Sequence, residues 1–89
     1  SPVFKIQILT SSRPIAANDK RLKGLKGVEH FQEGGLYKYT YGSSTDYNKV
    51  VRTKREITPK FKDAFIIAFK NGKKINVQTA IEEFKIIRL

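Results

Sequence analysis

Two segments of the chain alternate between apolar and polar positions, Val3–Thr10 (VFKIQILT) and Leu36–Gly42 (LYKYTYG). Side chains in a strand alternate between two faces, so this spacing predicts two β-strands with sorted faces. In the first, Phe4, Ile6 and Ile8 point one way and Lys5, Gln7 and Leu9 the other. In the second, Tyr37, Tyr39 and Tyr41 oppose Leu36, Lys38 and Thr40. A sheet of such strands buries aromatics on one side. It presents Gln, Lys and Thr on the other.

The remaining elements follow from periodicity and punctuation. Ser11-Ser12-Arg13-Pro14 breaks the first strand. Ile15, Leu22 and Leu25 recur at roughly helical spacing, while Gly24 and Gly27 limit that helix to a short one. Val28–Glu33 reads as a weaker strand, and Gly34-Gly35 leads it into the tyrosine strand as an antiparallel hairpin. Ser43–Thr45 offers N-cap residues for a helix carrying Tyr47, Val50, Val51, Ile57 and Phe61, ended or kinked at Pro59. Ala64–Lys70 (AFIIAFK) is an apolar run of strand length, with Phe65, Ile67 and Phe69 on one face and Ile66, Ala68 and Lys70 on the other. Asn71-Gly72 signals a type I′ turn into the short return strand Lys73–Ile75. Asn76 can cap a last helix with Val77, Ala80, Ile81 and Phe84 at i, i+3, i+4, i+7.

This order, βαββαβ followed by a hairpin and helix, predicts an α+β fold of the split-βαβ (ferredoxin/RRM-like) type. One antiparallel-rich sheet carries its helices on one face. The 89 residues form a single domain, with a core over about 3–70 and an extension over about 71–85. The helix-free face is expected to carry Lys5, Gln7, Leu9, Leu36, Lys38, Thr40, Ile66, Ala68 and Lys70. Gln and Thr supply donors and acceptors, and Lys supplies donors. Mixed with Leu and Ile, they match a sugar, whose hydroxyls ring an apolar C–H face.

Composition narrows the chemistry. The chain holds 18 Lys+Arg against 8 Asp+Glu, a formal charge of +10, which favours an anionic partner such as nucleic acid, anionic lipid or acidic polysaccharide. There is no Cys, so no disulfide or thiolate metal site. No apolar run approaches the ~20 residues that span a bilayer. The chain begins Ser1-Pro2 without Met and reads as a fragment of a longer protein, with any targeting signal upstream. His30 is the only histidine and has no partner for a metal site. No nucleophile–base constellation is visible, and Gly34-Gly35 and Asn71-Gly72 sit at hairpin turns rather than in a phosphate loop. The residues point to a noncatalytic domain with no cofactor and no metal.

Phe4-Lys5-Ile6-Gln7-Ile8, Gly35-Leu36-Tyr37-Lys38-Tyr39-Thr40-Tyr41-Gly42 and Ala64-Phe65-Ile66-Ile67-Ala68-Phe69, in this order, resemble the SPOR domain, a peptidoglycan-binding module of bacterial cell-envelope proteins. The stretch Phe69–Ile75 with the terminal helix is similar to the C-terminal domain of N-acetylmuramoyl-L-alanine amidases from Bacteroides-like bacteria. The resemblance implies binding of glycan strands stripped of stem peptides at the division septum, in the periplasm or cell envelope, beside an upstream amidase catalytic domain. By position it implies that Gln7 bonds sugar hydroxyls or N-acetyl groups. Thr10 would touch the glycan at the end of the first strand, Lys38 would stand for the family's Arg, and Leu36 would fall where some members stack an aromatic. Lys5, Thr40 and Lys70 complete the expected glycan-binding surface. This chain departs from the family at Leu9-Thr10-Ser11, which replaces Gly-Ser-Phe, and in its shortened first helix.

The alternative is an RRM-like domain for single-stranded nucleic acid, which shares the element order and a ligand-binding sheet face. It requires aromatics on the helix-free face. A reversed register of the tyrosine strand would supply them.

Overall fold

The computed structural model describes residues 1–87. Its elements are β1 (Val3–Ser11), a single 3-10 turn at Lys20–Leu22, β2 (Glu29–Glu33), β3 (Leu36–Ser44), α1 (Tyr47–Ile57), β4 (Phe65–Lys70), β5 (Lys73–Ile75) and α2 (Val77–Ile87). The five strands form one antiparallel sheet in the order β2-β3-β1-β4-β5. The first four strands thus follow the split-βαβ order, β1 and β2 lying either side of β3, and β5 adds an edge through the C-terminal hairpin. The fold is α+β, as the sequence predicts.

Local chemistry explains most boundaries. Both hairpins are closed by two residues with positive φ, Gly34-Gly35 (+59°, +78°) and Asn71-Gly72 (+53°, +77°), the geometry of a type I′ turn. The cap of α1 is Asp46 rather than Ser43–Thr45: its Oδ1 accepts from the N–H groups of Asn48 (3.0 Å) and Lys49 (3.3 Å). At the other end, Thr58 Oγ1 donates to the Lys54 carbonyl at 2.7 Å, and Pro59 lies beyond the helix. Phe61 follows α1 as a buried turn residue instead of extending its stripe. Asn76 caps α2 by accepting from Thr79 N–H at 3.0 Å.

The expected first helix is reduced to the turn at Lys20–Leu22. Asp19 starts it, accepting from Arg21 N–H at 2.9 Å, and Lys23 and Gly24 end it in the left-handed region (φ +52° and +80°). Two successive left-handed residues cannot continue a right-handed helix.

The core lies between the sheet and the two helices. Phe4, Ile6, Val50, Ala68 and Ala80 are fully buried there, and the Phe4 ring meets Tyr47 of α1 and Phe84 of α2 edge-on at centroid distances of 5.0 and 6.1 Å. Register shifts break the β1–β3 ladder twice, between Phe4 and Ile6 and between Gln7 and Leu9. In the first, β3 carries the extra residue at Gly42–Ser43. Gly42 has φ +75°, and a Cβ there would stand 3.0 Å from Thr53 Cγ2 and 3.2 Å from Ile6 Cδ1, so both the backbone and the approach of α1 require glycine. In the second, β1 carries the extra residue at Ile8. Bulges of this kind sharpen local twist, and this sheet curls strongly away from the helices.

Candidate functional site

The curl decides what the helix-free face offers. It brings Phe31 of β2 against Phe69 of β4, with ring centroids 5.1 Å apart in a T-shaped contact, although β3 and β1 lie between their strands. Lys74 of β5 reaches across to Glu33 of β2 at 3.0 Å and stands 5.8 Å from the Phe31 ring. Lys38 meets the same Glu33 oxygen at 2.5 Å. Lys5 lies 3.5 Å from Glu29 and 5.2 Å from the Phe69 ring. With two ammonium groups beside it, the Glu33 carboxyl is held below the usual carboxylate range, chiefly by the hydrogen bond from Lys38.

The sequence-predicted residues therefore separate. Gln7, Thr40, Lys38 and Lys5 do share the helix-free face, since Gln7 pairs with Thr40 and Thr10 with Lys38 across β1–β3. Thr40 is buried beneath the curl, however, and Lys38 and Lys5 are engaged by glutamates. Leu36 is exposed at the start of β3. Leu9 is corrected: the extra residue at Ile8 resets the alternation, placing Leu9 opposite Tyr39 and against the core, and returning Thr10 to the face of Gln7. The facing of β4 is also corrected. Ile66 pairs with Ile6 and Ala68 with Phe4, so Ile66, Ala68 and Lys70 belong to the helix-covered face, where Lys70 meets Glu83 of α2 at 2.5 Å. Ala68 suits that face because its small side chain admits α2 closely. Phe65, Ile67 and Phe69 take the helix-free face instead, opposite Gln7, Lys5 and Val3. Tyr39 is buried on the helix-and-loop side, and Tyr37 and Tyr41 are half-buried, so the tyrosines form no open stacking platform.

An open groove remains at the end of β1. The ladder with β4 stops at the pair Gln7–Phe65, and the segment 60–63 passes beside the free stretch of β1. One part of the groove, about 310 Å³, is lined by Gln7, Ile8, Leu9, Thr10, Asp63 and Phe65. It runs into a second part, about 320 Å³, that shares Ile8, Leu9, Thr10 and Asp63 and adds Arg21, Lys23, Lys60, Phe61 and Lys62.

The first part holds three features suited to a sugar. Gln7 is only 7% exposed, and its Oε1 is buried without a hydrogen-bond partner among the described residues. Thr10 is exposed, with a hydroxyl that donates and accepts. Phe65 is 48% exposed and presents an apolar ring. The second part is basic. Arg21 is already occupied: its Nε and Nη2 donate to the two oxygens of Asp19, each at 2.9 Å, and this fork with the backbone bond from Arg21 pulls the Asp19 carboxyl down to about 2. Lys23 donates to the Lys60 carbonyl and stands 5.1 Å from the Phe61 ring. Lys60 and Lys62 are exposed, with no acidic partner among the described residues.

Sequence reasoning thus found Gln7 and Thr10 and missed Phe65, Lys60 and Lys62. A signal was present in Lys60-Phe61-Lys62, two cations around a buried aromatic just past Pro59. It falls outside any strand and so outside a face-based search. Among the described residues no cluster of three or more His, Cys, Asp or Glu could hold a metal, and no helix is long and apolar enough to cross a membrane. Comparison with protein-family models, with curated proteins and with solved structures finds no match to this chain.

Proposed function

We propose that this domain is a noncatalytic peptidoglycan-binding module. It takes glycan strands stripped of stem peptides along the β1 groove and localises a cell-wall hydrolase, such as an upstream amidase domain, in the cell envelope. The observation that carries the reading is the buried, unpaired Oε1 of Gln7 beside Thr10 and Phe65. An unmade hydrogen bond of this kind costs about 1–3 kcal/mol. A ligand donor that meets the amide as it turns out into the groove would repay it, and a sugar hydroxyl or N-acetyl N–H is such a donor. Phe65 would lie against the C–H face of a ring, and Lys60 and Lys62 would meet carboxylates. Removing a stem peptide exposes the lactyl carboxylate of each muramic acid, so a denuded strand is a regular polyanion that a charge of +10 attracts.

The resemblance to SPOR domains supports the same ligand, with the proposed contacts moved to the groove. Lys38 is bound to Glu33, Thr40 is covered and Lys70 faces α2, so the groove of Gln7, Thr10 and Phe65 replaces the broad sheet face. The test is co-sedimentation with purified sacculi, before and after amidase removal of stem peptides, at low and high salt. Binding should rise after peptide removal, persist at moderate salt and fall in Gln7→Ala and Phe65→Ala. Binding at low salt alone would mean that charge acts without the groove. The exposed ring of Phe65 also favours a second reading, base stacking in a single-stranded nucleic acid. Retention on single-stranded RNA with no sedimentation of sacculi would replace the first reading by this one.

A further inference from the structure

The groove leaves unused a cleft larger than either of its own parts. It measures about 470 Å³ and lies on the other side of the sheet, between β2–β3 and the loop from Ile15 to Val28. The missing first helix creates it: one 3-10 turn cannot cover the sheet end that a helix would cover, and Leu22 alone of the loop is fully tucked in. Half-exposed Ile15, Leu25 and Val28 are left as aliphatic walls over the Tyr39 ring. The floor is fixed, because Tyr39 Oη accepts from Ile15 N–H at 2.8 Å, which ties the phenol to the loop with its ring as the floor of the cleft. The mouth is cationic. Lys26 lines it, exposed and without an acidic partner among the described residues: the carboxylate nearest in sequence, Glu29, pairs with Lys5 at 3.5 Å, and Asp19 is consumed by Arg21. His30 closes the far side, its ring 5.4 Å from Tyr39.

We infer that this cleft is a second ligand site, for a small amphipathic carboxylate: an aliphatic chain against Leu25, Val28 and Tyr39, with its anionic head at Lys26. The volume falls in the range of about 300–1,000 Å³ common to small-molecule sites. Aliphatic walls select the chain, and the unpaired cation at the rim selects the sign of the head. Neutral or cationic amphiphiles lack that pairing. The site is independent of the β1 groove and of the glycan reading.

The test is titration of the full chain with decanoate below its micelle concentration, followed by ¹H–¹⁵N correlation spectra. Decanol serves as the neutral control and acetate as the head-only control. Decanoate should give saturable shifts confined to Val28, His30, Tyr39 and the loop, and decanol should bind more weakly. Lys26→Glu should weaken decanoate about three- to five-fold, the usual effect of one exposed charge pair and a reversal. Val28→Arg should abolish binding, and Leu25→Gln provides a milder block should Val28→Arg fold poorly. Sedimentation with sacculi should persist in all three variants, which separates failure here from failure of the groove. Equal shifts with acetate, shifts scattered over the surface lysines, or undiminished decanoate binding in both Lys26→Glu and Leu25→Gln would overturn the inference.

Discussion

The two faces of the sheet are both closed, by different means. On one, α1 and α2 lay down a dry core of Phe4, Ile6, Val50, Ala68 and Ala80. Over the other, no helix lies among the described residues and the sheet covers itself by curling. There Phe31 touches Phe69, three lysines bridge two glutamates, and the floor includes the polar side chains of Gln7 and Thr40. The first closure rests on apolar area and the second on ring edges and ion pairs around polar atoms. Stability is therefore expected to reside mainly on the helix side. The buried polar atom without a hydrogen-bond partner among the described residues, Gln7 Oε1, lies on the curled side, and the proposed recognition with it.

Phe4→Ala should break the comparison most severely. It empties the centre of the helix-side core, a truncation that typically costs about 3–5 kcal/mol, read by urea denaturation. Gly42→Ala strikes the bulge where β3 meets α1, and should cost about 2 kcal/mol through positive φ and the contact with Thr53. Gln7→Leu should move in the opposite direction. Replacing an unpaired buried acceptor by an apolar side chain should stabilise by about 1 kcal/mol, a rise in Tm of about 4–8 °C for a domain this size, while abolishing sacculus binding. A loss of stability in that variant would show that the oxygen is satisfied in solution.

The smallest effect belongs to Glu33. Its carboxyl titrates below the ordinary value of 4.5, so its contribution is full above that value and is lost as pH falls through the lowered folded one. Carboxyl NMR should show Glu33 titrating below the ordinary value of 4.5. Glu33→Gln should leave the domain folded and remove any pH-dependent shift of Phe31 and Lys74 resonances over that acid range.

The sequence revealed the elements better than their facing. Gly34-Gly35, Asn71-Gly72, Asn76 and the stripe of α2 each act locally, and each stands where the sequence places it. What escaped depends on distant partners. Nothing in VFKIQILT marks Ile8 as the extra residue that swaps Leu9 for Thr10, because the bulge arises from the pairing with β3. AFIIAFK is apolar at both parities, so periodicity could not choose its buried face. In the structure Ile67 and Ala68 are buried on opposite faces, while Phe65 at the start of the strand stays exposed. Of the candidate groove, Gln7 was legible because strand alternation and a family resemblance converge on it, while Thr10, at the parity of the core residues, was legible through the resemblance alone. Phe65 was assigned to the wrong face, and Lys60 and Lys62 lie on a turn that strand logic does not reach.

The link between Glu33 and Lys74 joins β2 to β5, the first and last strands of the sheet. An open sheet offers its outermost backbones as templates on which other chains can grow. Here the two outermost strands are bent toward each other, one only three residues long and the other bearing a glutamate at each end. Loosening that link is expected to do more than uncover Gln7: it would present two sticky margins at once, so the variants that open the curled face should be the ones that self-associate on storage.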